Sequence, residues 1–387
     1  MPTSTDHLDI IRGLAKEAGL RRVHMLAWRD LDDEDAGGSE VHASTVARLW
    51  AEAGIEVTMR TSAARRCPPV ALRDGYRVIR RGSRYLVFPR AAFAEAMRPG
   101  GRDGLVEIWN GMPFLSPVWN RGPRAIWLHH YHAQMWRMML PEPVASAGAL
   151  IERRIAPPFY RRSPIVTLAD SSRRELIDEL GFDPSMVSVV PPGVDSSFRP
   201  GGTRSPVPFV VALGRLAPVK RWPLLVDALV EAKRRHPGLE AAIVGEGPER
   251  AELEARIASA GASEWLRMPG RLPDEDIIDL YRRAWLLAAS SAREGWGMTI
   301  TEAAACGTPA VATDISGHRD AVTDGVTGLL VDEWHLADGI QRVLSDLSLR
   351  DRLGAAALAR AAELTWEATA IGTLRVLAED ARRRRSR

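Results

Sequence analysis

Lysine is almost missing from this chain: of its 52 basic residues only Lys16, Lys220 and Lys233 are lysines. The rest are arginine, a bias of coding that says nothing by itself but makes Lys220 stand out, because it sits where a phosphate-binding ammonium would be wanted. Cysteine is scarce too. Cys67 and Cys306 have neither disulfide nor metal-ligand spacing, which excludes a disulfide-stapled scaffold and suits a reducing cytoplasm. No apolar run is long enough to span a membrane, and residues 1–19 carry Asp6, Asp9, Arg12, Lys16 and Glu17 in place of a signal core. The expectation is a soluble cytoplasmic protein. Residues 151–162 come nearest to a basic amphipathic helix, so peripheral membrane contact stays open. A net charge of only +3 gives no footprint for nucleic acid, and the arginine pairs at 153–154, 161–162 and 173–174 read as solvated helix faces. A Gly-x-Gly-x-x-Gly turn is also lacking. Gly245-Glu246-Gly247-Pro248 stops short of the third glycine and Gly37-Gly38 has the wrong spacing, which argues against a nicotinamide dehydrogenase.

What is present is size and alternation. A chain of 387 residues exceeds one ordinary core, so two domains are expected. Short β-rich apolar runs at 23–28, 55–60, 76–80, 105–109, 125–128, 165–168 and 187–190 alternate with helical patterns such as 39–53 and 171–180, with Ser171 a plausible cap. Five prolines and three glycines between Pro191 and Pro208 have linker composition. A second series follows, with strands at 209–213, 240–244, 265–268, 285–289 and 310–312 and helices at 221–236, 249–260, 274–283 and 298–306. Helices fill the chain from Trp334 onward, interrupted only at Gly354 and Gly372. The pattern predicts an α/β protein of two doubly wound, Rossmann-like domains facing across a cleft. The boundaries are 1–195, 196–365 and a C-terminal helix, 366–387, packing back on the first domain.

Two stretches carry chemistry. In Leu213-Gly214-Arg215-Leu216-Ala217-Pro218-Val219-Lys220 a buried strand ends at a glycine, followed by two cations. In doubly wound sheets the ligand crevice lies at the carboxyl ends of the strands, so Arg215 and Lys220 suit a departing pyrophosphate and no divalent metal is called for. In Glu294-Gly295-Trp296-Gly297-Met298-Thr299-Ile300-Thr301-Glu302 a strand runs through a glycine turn into a helix. The free N–H groups of such a start attract phosphate. Glu294 in the loop would face a sugar; Glu302, eight residues on, would accept hydroxyl hydrogen bonds from a ribose.

Together these stretches resemble the donor site of retaining family 4 glycosyltransferases of the GT-B fold. Cys306-Gly307-Thr308-Pro309-Ala310, Asp324-Gly325-Val326-Thr327-Gly328 and Gly270-Arg271-Leu272-Pro273-Asp274 are similar to the same family. The resemblance implies that the backbone at Arg271 and Leu272 lies against the nucleotide base. It implies that Gly37 and Gly38, in Ala36-Gly37-Gly38-Ser39-Glu40, face the donor diphosphate, and that a histidine lies near the anomeric carbon. His129 directly follows an apolar run and is favoured over His130 and His132. The acidic stretch 28–35 would suit an exposed loop near the acceptor. Trp109, Trp119, Trp127 and Trp136 are more often core or rim fillers than sugar platforms. Proline at 192 stands where many members have asparagine, and Trp296 where phenylalanine is frequent.

The implied activity is transfer of a sugar from a nucleotide diphosphate sugar to a hydroxyl acceptor with retention, giving an α-glycoside. His129, Glu294, Arg215 and Lys220 form the catalytic set, with no cofactor beyond the co-substrate. A small aminocyclitol or natural-product precursor is the preferred acceptor. Alternatives are a transferase building a cell-wall polysaccharide or glycolipid, a GT-B phosphorylase, or a nucleotide-sugar hydrolase.

Overall fold

The computed structural model describes residues 4–98, 100–132 and 135–386. The chain divides into two compact units. One runs to Gly193 and takes in the segment from Trp366 onward; the other is Val194–Thr365.

The first unit is built on eight strands: β1 (Arg22–Leu26), β2 (Glu56–Thr61), β3 (Val70–Arg73), β4 (Tyr76–Arg80), β5 (Gly104–Ile108), β6 (Arg124–Trp127), β7 (Ile165–Thr167) and β8 (Val187–Val189). Their order is β3-β4-β2-β1-β5-β6-β7-β8, and every pairing is parallel except β3 with β4. Residues of β5, β6 and β7 are buried on both faces, which is why they read as unbroken apolar runs. The helix Trp366–Arg385 is docked on this unit. Trp50 Nε1 donates to Ala370 O at 3.0 Å, and the Arg124 amide donates to buried Asp380 at 3.0 Å.

The second unit carries β9 (Phe209–Leu213), β10 (Glu240–Val244), β11 (Leu266–Gly270), β12 (Leu286–Ala289), β13 (Ala310–Thr313) and β14 (Gly328–Val331). They are ordered β11-β10-β9-β12-β13-β14 and wholly parallel. Its core gathers Leu225 and Leu229 of the helix Trp222–Arg235 with Ile243 of β10 and Ile340 and Val343 of a later helix. Each such side chain contributes about 1.5–3 kcal/mol by leaving water. In both sheets the strand order reverses beside the first strand, at β1/β5 and at β9/β12. Loops leaving these neighbours part to opposite sides and open a crevice at their carboxyl ends.

Several local expectations need correction. β3 has no counterpart in the predicted strands; it pairs with β4 through Asp74-Gly75, both with positive φ (44° and 84°), the two-residue turn that Asp-Gly favours. β14 likewise has no counterpart among the predicted strands. The helix Asp170–Asp178 begins with Ala169 at its cap, so Ser171 lies inside the first turn. Gly354 and Gly372 break nothing. Both sit within helices (Leu347–Ala361 and Trp366–Arg385), where a Cβ would lie 2.7 Å from Gly307 O and 2.9 Å from a Val190 methyl. They are glycines for close packing, and the helices end elsewhere. Trp109 and Trp127 are fully buried core residues, which removes them as sugar platforms.

Candidate active site

In the second unit the loops after β9 and β12 meet at the switch point. β9 ends at Leu213, and the loop after β10 presses on the next residue: a Cβ on Gly245 would stand 1.9 Å from Gly214 O. Only glycine permits that approach. The chain then makes a short 3-10 turn, Pro218–Lys220, and enters the helix Trp222–Arg235 through Arg221, which takes a left-handed conformation at φ 50°. Arg221 pins the two loops together by donating to Ser290 O and Ser291 O, each at 3.0 Å, and by pairing with Glu333. Ser290 Oγ returns a bond to Lys220 O at 2.7 Å. Lys220 is thereby held at the mouth of β9, and its ammonium closes on the carboxylate of Glu294. Ser291 Oγ donates to the same Glu294 oxygen at 2.8 Å.

Burial pushes the Glu294 carboxyl up, but Lys220, His318 and the Ser291 hydroxyl outweigh it, and the net direction is down. Glu294 is thus held as an anion beside a cation. Behind it come Gly295, the buried Trp296 and Gly297 (φ 98°), which opens the helix Met298–Ala305. Met298 and Thr299 are partly exposed in its first turn. The Trp296 indole N–H is buried without a partner. Glu302, one turn further, meets the Tyr281 hydroxyl at 3.4 Å. Burial, with Asp274 and Asp195 nearby, raises its carboxyl to about 7 despite that bond. Arg215 follows Gly214, partly exposed, with its carbonyl accepting from Trp222 Nε1 at 3.0 Å. Arg271 is exposed just past β11, and Leu272 lines a groove with Trp265, Asp276 and Leu280.

In the first unit Gly37 and Gly38 open the helix Gly38–Glu52 as expected of an anion-friendly turn, but the Gly37 amide donates to Glu40 Oε2 at 2.8 Å. Glu40 is itself buried beside Arg29, 3.3 Å away. The acidic loop is exposed only in part, at Asp32 and Glu34. Asp30 and Asp33 are buried, and arginines from β3, β4 and the following turn pair with the aspartates: Arg80 with Asp30 and Asp32, Arg73 with Asp32, Arg84 with Asp33 and Asp35. Each of its aspartates is paired with an arginine.

His129 follows β6 and is buried. Its Nε2 lies 3.1 Å from Nδ1 of His42, whose ring packs on Trp127 and Trp366. Burial lowers the His129 imidazole to about 4 and keeps it neutral at pH 7. His132 differs: Nδ1 is 2.9 Å from Glu152 Oε1 and Nε2 is 3.0 Å from Asn110 Oδ1, so both ring nitrogens are committed. Among the described residues no group of three or more His, Cys, Asp or Glu side chains could hold a metal ion, and no helix is long and apolar enough to cross a membrane.

Sequence reasoning missed Arg221, Ser290, Ser291, His318, Tyr281 and His42. The serines at the end of β12 carried a positional signal, since a strand's carboxyl end is where such sheets bind; the others are brought in by folding alone.

The profile described as "Glycosyl transferases group 1" matches residues 194–360, and "Glycosyltransferase Family 4" matches residues 36–198. A D-inositol 3-phosphate glycosyltransferase of Kribbella flavida is 30% identical over 413 residues, covering 93% of this chain and 96% of the relative. One from Frankia alni is 39% identical over 234 residues, covering 54% of this chain and 57% of the relative. Among solved structures, sucrose-phosphate synthase from Thermosynechococcus elongatus superposes with a TM-score of 0.78 at 21% identity, covering 90% of this chain and 96% of that one. Anabaena HepE in complex with UDP and glucose gives 0.69 at 19% identity, covering 95% and 100%. With two parallel-sheet units and sequence matches along nearly its whole length, the chain belongs to glycosyltransferase family 4 and is a glycosyltransferase of the GT-B fold.

Proposed function

We propose that the protein transfers a hexose from a nucleoside diphosphate sugar to a hydroxyl of a small cyclitol-type acceptor, with retention at the anomeric carbon. The observation that carries this reading is the Lys220–Glu294 pair at the β9/β12 switch point, standing directly before the glycine turn of Met298–Ala305. Lys220, Arg215 and the helix start supply positive potential for a diphosphate. Glu294, kept ionised, accepts hydroxyl hydrogen bonds from the sugar. Glu302 stands one turn deeper for the ribose hydroxyls, and Arg271 and Leu272 are assigned to the base. Gly37 and Gly38 are assigned to the diphosphate as well; Gly37 would do so by giving up its bond to Glu40.

In the proposed reaction the bond from the anomeric carbon to the β-phosphate oxygen breaks and its electron pair leaves with the diphosphate. The acceptor oxygen bonds to the same face of that carbon, and its proton passes to a phosphate oxygen. His129 is assigned to the sugar; its Nδ1 makes no hydrogen bond among the described residues, whereas His132 has both nitrogens engaged. The cyclitol acceptor rests on the printed activity of the relatives, D-inositol 3-phosphate glycosylation.

The test is a mass-spectrometric screen of nucleotide sugars against inositol phosphates, aminocyclitols, lipid acceptors and water. Transfer to a cyclitol with α-configuration supports the reading. Hydrolysis alone, or transfer only to lipid, overturns the acceptor; full activity in Lys220→Ala and Glu294→Ala overturns the site.

A further inference from the structure

His318 stands against this site without a part in it so far. It is only 1% exposed and begins a single-turn helix after Gly317. Its Nδ1 lies 2.8 Å from Thr313 O. A carbonyl only accepts, so Nδ1 carries the ring's proton. The Thr313 hydroxyl does not compete for that role, because it donates to Ser291 O at 2.7 Å. Burial lowers the imidazole despite Glu294 nearby, which favours the neutral form, and in that form the tautomer set by Thr313 leaves a bare lone pair on Nε2.

That nitrogen has no hydrogen-bond partner among the described residues, yet it is not sealed from solvent. Buried acceptors in folded proteins are satisfied in the great majority of cases. The ring lies against the glycine turn: His318 Cδ2, the carbon bonded to Nε2, is 3.3 Å from where a Cβ of Gly297 would stand. Gly317 holds the segment in place, with a Cβ there falling 2.5 Å from Glu294 O.

We propose that His318 contacts the transferred sugar, its Nε2 accepting a hydrogen bond from one pyranose hydroxyl beside the one bound by Glu294, and so helps to choose the sugar. This rests on the reading of the site as a nucleotide-sugar site. A tautomer locked by Thr313 offers an acceptor and no donor on that edge. It therefore selects a hydroxyl and rejects a hydrogen or a methoxy group at the same position.

The test uses a series of singly deoxygenated donors with three proteins: wild type, His318→Asn and His318→Gln. Asparagine keeps an N–H for Thr313 and deletes only the Nε2 position; glutamine returns an acceptor near it. In the wild type one deoxy donor is expected to lose about tenfold in kcat/KM. In His318→Asn that donor and its parent should be turned over equally, while penalties for the other deoxy donors persist. His318→Gln should restore part of the discrimination. An unchanged deoxy profile in a folded His318→Asn overturns the inference. Calorimetry with UDP, ADP and GDP separates this from failure of the underlying reading. Binding of one of them to all three proteins alike, with an unchanged deoxy profile, removes His318 alone; no binding to the wild type removes the nucleotide-sugar site and the inference with it.

Discussion

Gly317 lies in backbone contact with Glu294: a Cβ on Gly317 would stand 2.5 Å from the Glu294 carbonyl oxygen and 2.9 Å from its carbonyl carbon. The loop after β13 thus abuts the backbone that carries the Glu294 carboxylate, 23 positions back in sequence. Gly317 also has φ 88°, which costs an alanine about 1 kcal/mol before any contact is counted. Gly317→Ala should therefore lower Tm by several degrees and kcat/KM for donor at least tenfold, as the loop is pushed off Glu294. Thermal melts and donor kinetics together check this; normal kinetics in the variant would show that the contact does not position Glu294.

Lys220 and Glu294 form the second test. Burial drives the Glu294 carboxyl upward and Lys220 is the strongest influence opposing it. In Lys220→Met burial dominates, the carboxyl rises and the acid limb of the kcat/KM profile moves to higher pH. The rate at neutral pH should fall by about 10²–10³, the usual cost of removing a group that meets developing charge. Lys220→Arg keeps the charge but not the compact ammonium, and should recover only part of the rate. A Lys220→Met profile parallel to wild type, merely scaled down, would separate the two residues.

The loops of the second unit after β9 and β12 were legible because their information is local. Glu294 and Glu302 are one glycine turn and one helical turn apart, and Gly214 to Lys220 is a single loop. Long-range partners left no such trace: His42 reaches His129 across 87 positions and Arg221 reaches Glu333 across 112. Composition also could not separate two uses of one residue type. Gly354 and Gly372 read as helix breaks by propensity, whereas close packing explains them. The aspartates between Trp28 and Ala36 read as a solvated loop, and arginines two strands away neutralise them.

Trp296 places a buried indole N–H where it meets no acceptor, and an unsatisfied donor of this kind costs about 1–3 kcal/mol. Trp296→Phe removes that penalty and gives up some volume. Its Tm should be equal to or above wild type, with UDP-type binding unchanged. Trp296→Ala should lose about 3–5 kcal/mol through the cavity it leaves. If phenylalanine proved as destabilising as alanine, the N–H would have to be making a bond when the protein is in solution.

Glu95 is the acid-sensitive joint of the first unit. It is 1% exposed and meets His24, Arg60 and Arg102 at once. Burial raises its carboxyl, but His24 and Arg60 prevail and bring it to about 2. A carboxyl lowered on folding contributes stability that is present above its unfolded value of 4.5 and is lost as pH falls toward 2. Glu95→Gln should cost roughly 3 kcal/mol at pH 7 and flatten the fall in Tm between pH 5 and about 2. Melts at stepped pH check both.

Glu302 should couple donor binding to pH in the opposite sense. Its carboxyl stands at about 7 because it is buried near Asp274 and Asp195, so near neutrality it is only partly ionised. Ribose hydroxyls donate hydrogen bonds, and the ionised carboxylate is the better acceptor. Nucleotide affinity should therefore strengthen as pH rises through 7 and level off above it. The hydrogen bond from the Tyr281 hydroxyl lowers this carboxyl; removing it in Tyr281→Phe should shift the midpoint upward and weaken binding at pH 7. The same raised value predicts the sign for the unliganded fold. Between 4.5 and about 7 the folded state holds a proton that the unfolded chain has released, so this group's contribution to stability declines as pH rises. Calorimetric Kd values across pH 5.5–8.5 (a range of about three units around the group), with Glu302→Gln as the pH-insensitive reference, decide the matter. If Glu302→Gln keeps the full pH dependence, the titrating group lies elsewhere.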